Sequence, residues 1–149
     1  MPGALFDTST WLAATFDQHP AHSVARQALR EATAAQAAFF CRATQQSFLR
    51  LLSTAALAKA YGAVPLTNSD ALLTLDNLQA LPQVAWRDEP PGVFGLWRTL
   101  AALHSASPKV WMDAYLAAFA IAAGLRLVTL DKDFKNFLPH GLDMALLST

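Results

Sequence analysis

Arg126-Leu127-Val128-Thr129-Leu130-Asp131-Lys132-Asp133-Phe134 reads as a short buried strand, Arg126 to Leu130, that runs straight into two acids. Two further acids stand where apolar sequence is expected to continue. Asp7 follows Ala4-Leu5-Phe6, and Asp113 lies inside Trp111-Met112-Asp113-Ala114-Tyr115-Leu116. Only 11 of the 149 residues are Asp or Glu, so acids are not scattered here for solubility. A carboxylate at a strand end or on the apolar face of a helix loses hydration, and several together repel unless a cation or proton compensates. The simplest compensation is a divalent metal.

Working outward, the same kind of apolar run appears at Ala4 to Phe6, Ala38 to Cys41 and Val84 to Trp86, with a weaker one at Asp143 to Leu146. Helical periodicity fills the intervals. Pro20 to Ala34 places Val24, Ala28 and Leu29 on one face, Arg42 to Tyr61 repeats Phe48, Leu49, Leu52 and Ala56, and Ser69 to Leu81 reads as a capped helix. Gly62 closes the second of these. Two more helices are predicted from about Gly95 to His104 and from about Lys109 to Ala123, with Gly124 as the stop. Alternating strands and helices predict one domain over residues 1–149. Its class is α/β, a three-layer α/β/α sandwich with a mostly parallel sheet and functional groups beyond the carboxyl ends of the strands.

Composition narrows the function classes. A chain of this length buries roughly two-thirds of the surface its unfolded form exposes, and a single Cys41 excludes an internal disulfide framework. Pro2-Gly3 and the short run after it lack the basic flank and length of a signal peptide, so the cytoplasm is the expected compartment. No apolar stretch approaches the ~20 residues of a membrane span. Eleven basic residues balance eleven acidic ones, so any nucleic-acid binding must come from a local patch.

The acids fall into one place in this frame. Asp7 and Asp131 end strands. Asp113 shares its helical face with Leu116, Ala117, Ala120 and Ile121 and therefore points inward. In the helix after Cys41, Gln45 shares a face with Phe48, Leu49, Leu52 and Ser53, whereas Gln46 shares one with Arg50; Gln45 is expected to face the core and Gln46 the water. Each acid alone has an ordinary competitor. Asp7 can cap a helix at Thr10-Trp11-Leu12, Asp131 with Asp133 can form an Asp-rich turn before Phe134, and Asp113 can be an early-helix acid favoured by the macrodipole. Their joint order favours a metal site.

Asp7-Thr8-Ser9 at a strand end, Asp113-Ala114-Tyr115-Leu116-Ala117-Ala118 in a helix and Thr129-Leu130-Asp131-Lys132-Asp133-Phe134 after a late strand resemble the PIN-domain nucleases, specifically the VapC-type toxins of bacterial toxin–antitoxin pairs. The resemblance covers nearly the whole chain. It implies that Asp7, Asp113 and Asp131 hold metal and carry catalysis, with Asp133 as a fourth, more variable acid acting through water. Family members place a Glu in the second helix, and the matching position is read here as Gln45, in Thr44-Gln45-Gln46-Ser47-Phe48-Leu49-Arg50. An amide oxygen can coordinate Mg²⁺ or orient a water without contributing charge.

The chemistry suits those residue types. Phosphodiester hydrolysis needs an attacking hydroxide, charge stabilisation on the phosphoryl oxygens and help for the leaving oxygen, all of which Mg²⁺ or Mn²⁺ on carboxylates can supply. Zinc is disfavoured, because Cys41 stands alone and His19 and His22 lack further soft ligands at suitable spacing. The resemblance implies an endoribonuclease toxin that cuts a structured RNA and leaves a 5′-phosphate and a 3′-hydroxyl. It further implies a homodimer silenced by a cognate antitoxin. The alternative is a non-catalytic PIN-like RNA- or protein-binding module, which Gln45 makes plausible. Ser9, Arg42, Arg50 and Lys132 are candidate substrate contacts, and Trp86, Phe94, Trp97, Trp111 and Tyr115 are candidates to stack unpaired bases if they are not core. An aspartyl-phosphate mechanism is disfavoured because Ser9 stands two residues after Asp7.

Overall fold

The computed structural model describes residues 3–149. Its centre is a five-stranded, wholly parallel sheet of β1 (Ala4–Phe6), β2 (Ala38–Phe40), β3 (Val84–Trp86), β4 (Arg126–Thr129) and β5 (Met144–Leu146), in spatial order β3-β2-β1-β4-β5. The chain builds outward from β1 in one direction and then returns to its other side. The order therefore reverses between β1 and β4, the switch point at which open parallel sheets leave a crevice beyond the carboxyl ends of the strands. Phe6 is level with Val128, so Asp7 and Thr129 emerge side by side into that crevice.

Side chains alternate across the sheet as period two requires. Leu5 and Leu127 enter the layer formed by α6 (Val93–Ala101), α7 (Val110–Ala123) and the 3₁₀ segment Lys132–His140. Phe6, Phe40 and Val128 enter the opposite layer, with α1 (Thr8–Thr15), α2 (His22–Glu31), α3 (Arg42–Leu52) and α5 (Asn68–Gln79). Trp11 is the largest fully buried residue of that layer, and its ring lies 3.9 Å from Phe40 at an interplanar angle of 6°. In α2 it is Ala25 and Leu29 that are buried, with Val24 and Ala28 at the margin.

Two elements differ from the periodicity. The helix expected over Arg42 to Tyr61 divides into α3 and α4 (Ala55–Ala60). Ser53 Oγ bonds back to the carbonyls of Leu49 and Arg50, and Thr54 Oγ1 to that of Arg50, which gives the backbone an alternative to helical continuation. Gly62, at φ +69°, then follows α4 rather than one long helix. The residues after Asp7 form a helix of their own, α1, so Asp7 does cap Thr10. The wide apolar stop at Gly124 is as expected, in the left-handed conformation at φ +68°. Among the described residues no helix is long and apolar enough to cross a membrane.

Because Trp11 fills the space between β1, β2 and α3, Trp11→Ala is expected to cost about 3–5 kcal/mol. The measurement is a urea unfolding curve, in which the midpoint falls while the slope is unchanged; an unmoved midpoint would contradict the packing described.

Candidate metal and active site

Asp7, Asp113 and Asp131 come from three separate parts of the chain and line one cavity of about 220 Å³ at the switch point. Ser9, Ser47, Arg50, Met112 and Phe134 complete much of its wall. The floor is Asp7, 4% exposed. Its Oδ1 accepts from Ser9 Oγ at 2.8 Å, from the Thr10 backbone N–H at 3.0 Å and from Thr10 Oγ1 at 2.9 Å, and its Oδ2 accepts from Thr129 Oγ1. One carboxylate thus caps α1 and faces the cavity, so the capping role and the site role coincide.

Asp131 is tied to the same network. Its backbone N–H donates to Thr129 Oγ1 at 2.9 Å, and its Oδ1 accepts from the Asp133 N–H at 2.9 Å, capping the 3₁₀ segment. Thr129 therefore joins the ends of β1 and β4 through one hydroxyl. Asp113 approaches from the first turn of α7, partly exposed and without a side-chain hydrogen-bond partner among the described residues.

Electrostatics set Asp7 and Asp113 apart from surface acids. Burial pushes the Asp7 carboxyl above its usual range, against four hydrogen bonds that pull the other way. Asp113 is pushed up to about 6, first by burial and then by the charges of Asp131 and Asp7, with Lys109 opposing. Like charges are held together at a desolvated place. The donors are hard oxygens, the kind Mg²⁺ and Mn²⁺ prefer. Among the described residues no three acidic, His or Cys groups converge closely enough to enclose an ion by themselves. An ion held here would have to draw the rest of its shell from water or other oxygens, as Mg²⁺ usually does. The donor set fits.

A protein-family model described as PIN domain matches residues 4–137. The chain belongs to the PIN-domain family. It is similar to ribonuclease VapC41 of Mycobacterium tuberculosis, from two strains, at 43% identity over 148 residues that cover 97% of this chain and 98% of each relative. A solved structure with the same fold is that of VapBC2 from Rickettsia felis bound to a DNA fragment from their promoter, at TM-score 0.63 and 15% identity, over 97% of this chain and 98% of the other.

Within this PIN domain the other candidates divide. Ser9 and Arg50 reach the cavity, and Arg50 carries no ion pair among the described residues. Asp133 is exposed and outside the cavity wall, although its charge adds to the pressure on Asp113. Lys132 is likewise exposed and not on the wall. Arg42 lies elsewhere, with its guanidinium 4.6 Å over the Trp86 ring and bonded to Gln45 Oε1 at 2.7 Å. Gln45 is buried as expected and Gln46 exposed, but the Gln45 amide is engaged by Arg42 and Gln79 and does not line the cavity. The residues of α3 that do are Ser47, Arg50 and Leu51. Helix α3 contains no acid at all. Nothing in the sequence marks Ser47 as a site residue, whereas Thr10 enters the sequence reading as part of the helix that Asp7 can cap.

A group whose folded-state pKa is raised favours folding below its unfolded value and loses that contribution as pH climbs through the folded one. For Asp113 the window runs from near 4 to about 6. In chelator, Asp113→Asn is therefore expected to melt a few degrees above the parent chain at pH 7.5 and no higher at pH 4, by differential scanning fluorimetry. Equal melting at both values would remove the charge crowding from the account. Gln45→Ala, by contrast, is expected to lower Tm while leaving RNA cleavage in place.

Proposed function

We propose that this single PIN domain, spanning residues 1–149, is a Mg²⁺- or Mn²⁺-dependent endoribonuclease toxin of a toxin–antitoxin pair. The observation that carries the reading is the convergence of Asp7, Asp113 and Asp131 on one cavity at the switch point, in a chain similar end to end to a ribonuclease VapC. The substrate is a structured RNA. The partners are that RNA, a cognate antitoxin and a second copy of the chain, and the setting is the cytoplasm.

Asp7, Asp113 and Asp131 would hold the ion, and the ion, when bound, would polarise the scissile phosphate and lower the pKa of the attacking water. The chain's own part is positional. Asp7 is fixed in orientation by Ser9, Thr10 and Thr129, so its outward lone pairs are pre-aimed. Asp113 accepts no side-chain hydrogen bond among the described residues, and burial with neighbouring charge pushes it up to about 6, which suits it to take a proton from the water. Arg50, at the cavity wall and without an ion pair among the described residues, is placed to meet a phosphate oxygen through two parallel N–H donors. With a hydroxyl at Ser47 where an acid would add charge, α3 supports a single, loosely held ion rather than two.

The second reading, a PIN-like module that binds without turnover, drew its support from Gln45 standing in the site. Gln45 lies outside the cavity wall and α3 carries no acid, so the charge of the family's Glu is not replaced there, and metal-dependent RNA cleavage is what separates the two readings.

Incubation of end-labelled cellular RNA with the purified chain tests the reading. Discrete fragments are expected with Mg²⁺ or Mn²⁺, none with chelator, and for Asp7→Asn a rate below about one hundredth of the parent's, the fall that follows removal of a few kcal/mol of transition-state stabilisation. Intact RNA from a folded, antitoxin-free protein in both metals would overturn it.

A further inference from the structure

A cluster of exposed aromatic side chains lies beside the acid cavity. Phe94 on α6 and Trp111 on α7 are 62% and 59% exposed, and Met112 is 45% exposed. Trp97 holds them in a fixed array. Its ring meets those of Phe94, Trp111 and Tyr115 edge-on at 6.1, 6.3 and 5.6 Å, and its indole N–H donates to the Trp111 carbonyl at 2.9 Å. Among Ala43, Trp97, Pro108, Trp111, Met112 and Tyr115 a shallow cavity of about 370 Å³ opens to solvent.

Two observations say what covers it. The first is continuity, because Met112 lines both this hollow and the acid cavity, with Trp111 on one side of it in the chain and Asp113 on the other. The second is charge. Lys109 stands at the start of α7, near enough to Asp113 for its charge to act on that carboxyl, and Arg98 lies 5.5 Å over the Phe94 ring. Both cations are exposed and without an ion pair among the described residues, while one acid, Glu89, stands at the margin, its Oε1 accepting from Tyr115 Oη at 2.6 Å. Aromatic faces interleaved with free cations match the stacked bases and phosphates of an unpaired strand, whereas an apolar protein helix would leave both cations without a counter-charge.

We propose that this aromatic shelf stacks an unpaired base of the RNA strand whose scissile phosphate lies in the acid cavity, and so helps to set where the strand is cut. The inference rests on the nuclease reading above. Trp111 acts here as a specificity residue, touching a flanking base and no reacting atom.

The test uses the full chain carrying Asp7→Asn, which on that reading binds without cutting. Its affinity for a short single-stranded RNA of mixed sequence, and for the same RNA annealed to its complement, is compared with those of Trp111→Ala and Trp111→Phe in the same background. Circular dichroism checks the fold, and sedimentation gives the oligomeric state. The expected result is a preference for the single strand that Trp111→Ala weakens on the order of tenfold and Trp111→Phe largely restores. With Asp7 intact, Trp111→Ala is expected to raise KM more than it lowers kcat and to blur the fragment pattern. Unchanged affinity and an unchanged pattern would overturn the proposal. So would a Trp111→Ala chain that changes oligomeric state, or loses a co-expressed antitoxin, while its RNA binding is intact. Failure of the nuclease reading looks different: no chain cuts RNA in either metal, while the binding comparison still reads the shelf.

Discussion

The structure depends on keeping the Asp7 carboxylate in a place that water barely reaches. Desolvation of a carboxylate costs several kcal/mol unless donors replace the lost hydration. Here the replacement comes from two directions: Ser9 and Thr10 in the first turn of α1, and Thr129 at the end of β4. The same group thus starts a helix, closes the pairing of β1 with β4 and forms the floor of the cavity. Any rearrangement of these elements would strand a buried acid, so the requirement to satisfy Asp7 also fixes the geometry at the switch point.

Asp113 and Asp131 make the arrangement worse on purely electrostatic grounds. They add charge beside Asp7 without adding donors, and Asp113 responds by holding its proton to about pH 6. A fold has no stability reason to gather three acids from β1, α7 and the segment after β4 at one point. The cost is borne locally, and the proposed ion would turn it into a gain by making each carboxylate favourable to every other. Thr129 is the economical part of this design, since a single hydroxyl accepts from Asp131 N–H and donates to Asp7, so the two strand-end acids keep a fixed separation.

Much of this was legible because the acids broke an apolar pattern. Asp7 after Ala4-Leu5-Phe6 and Asp131 after Arg126 to Leu130 needed only the rule that parallel strands point their carboxyl ends to one side, and Asp113 needed only the phase of α7. The reading of α3 shows where periodicity runs out. It separated Gln45 from Gln46 correctly as inside against outside, but the inside of α3 is two surfaces, one against α5, where Gln45 meets Gln79, and one against the cavity, where Ser47 and Arg50 lie. A hydrophobic pattern reports burial and not the neighbour. The break at Ser53-Thr54 was hidden for a related reason: apolar spacing continues through it, and only the hydroxyls bonding back to Leu49 and Arg50 end the helix.

The neutral overall charge constrains how such a site could meet RNA. With eleven acids against eleven bases there is no long-range field to draw a polyanion in, and three of the acids sit at the very point where a phosphate must arrive. On the proposed reading the approach becomes favourable only when an ion has inverted the sign of the cavity, with Arg50 at its wall and Lys109 and Arg98 beyond it. Few phosphate contacts imply a shallow dependence of binding on salt. Discrimination among RNAs must then come from shape and from unpaired bases, and the exposed aromatic rings beside the cavity offer planar faces for it.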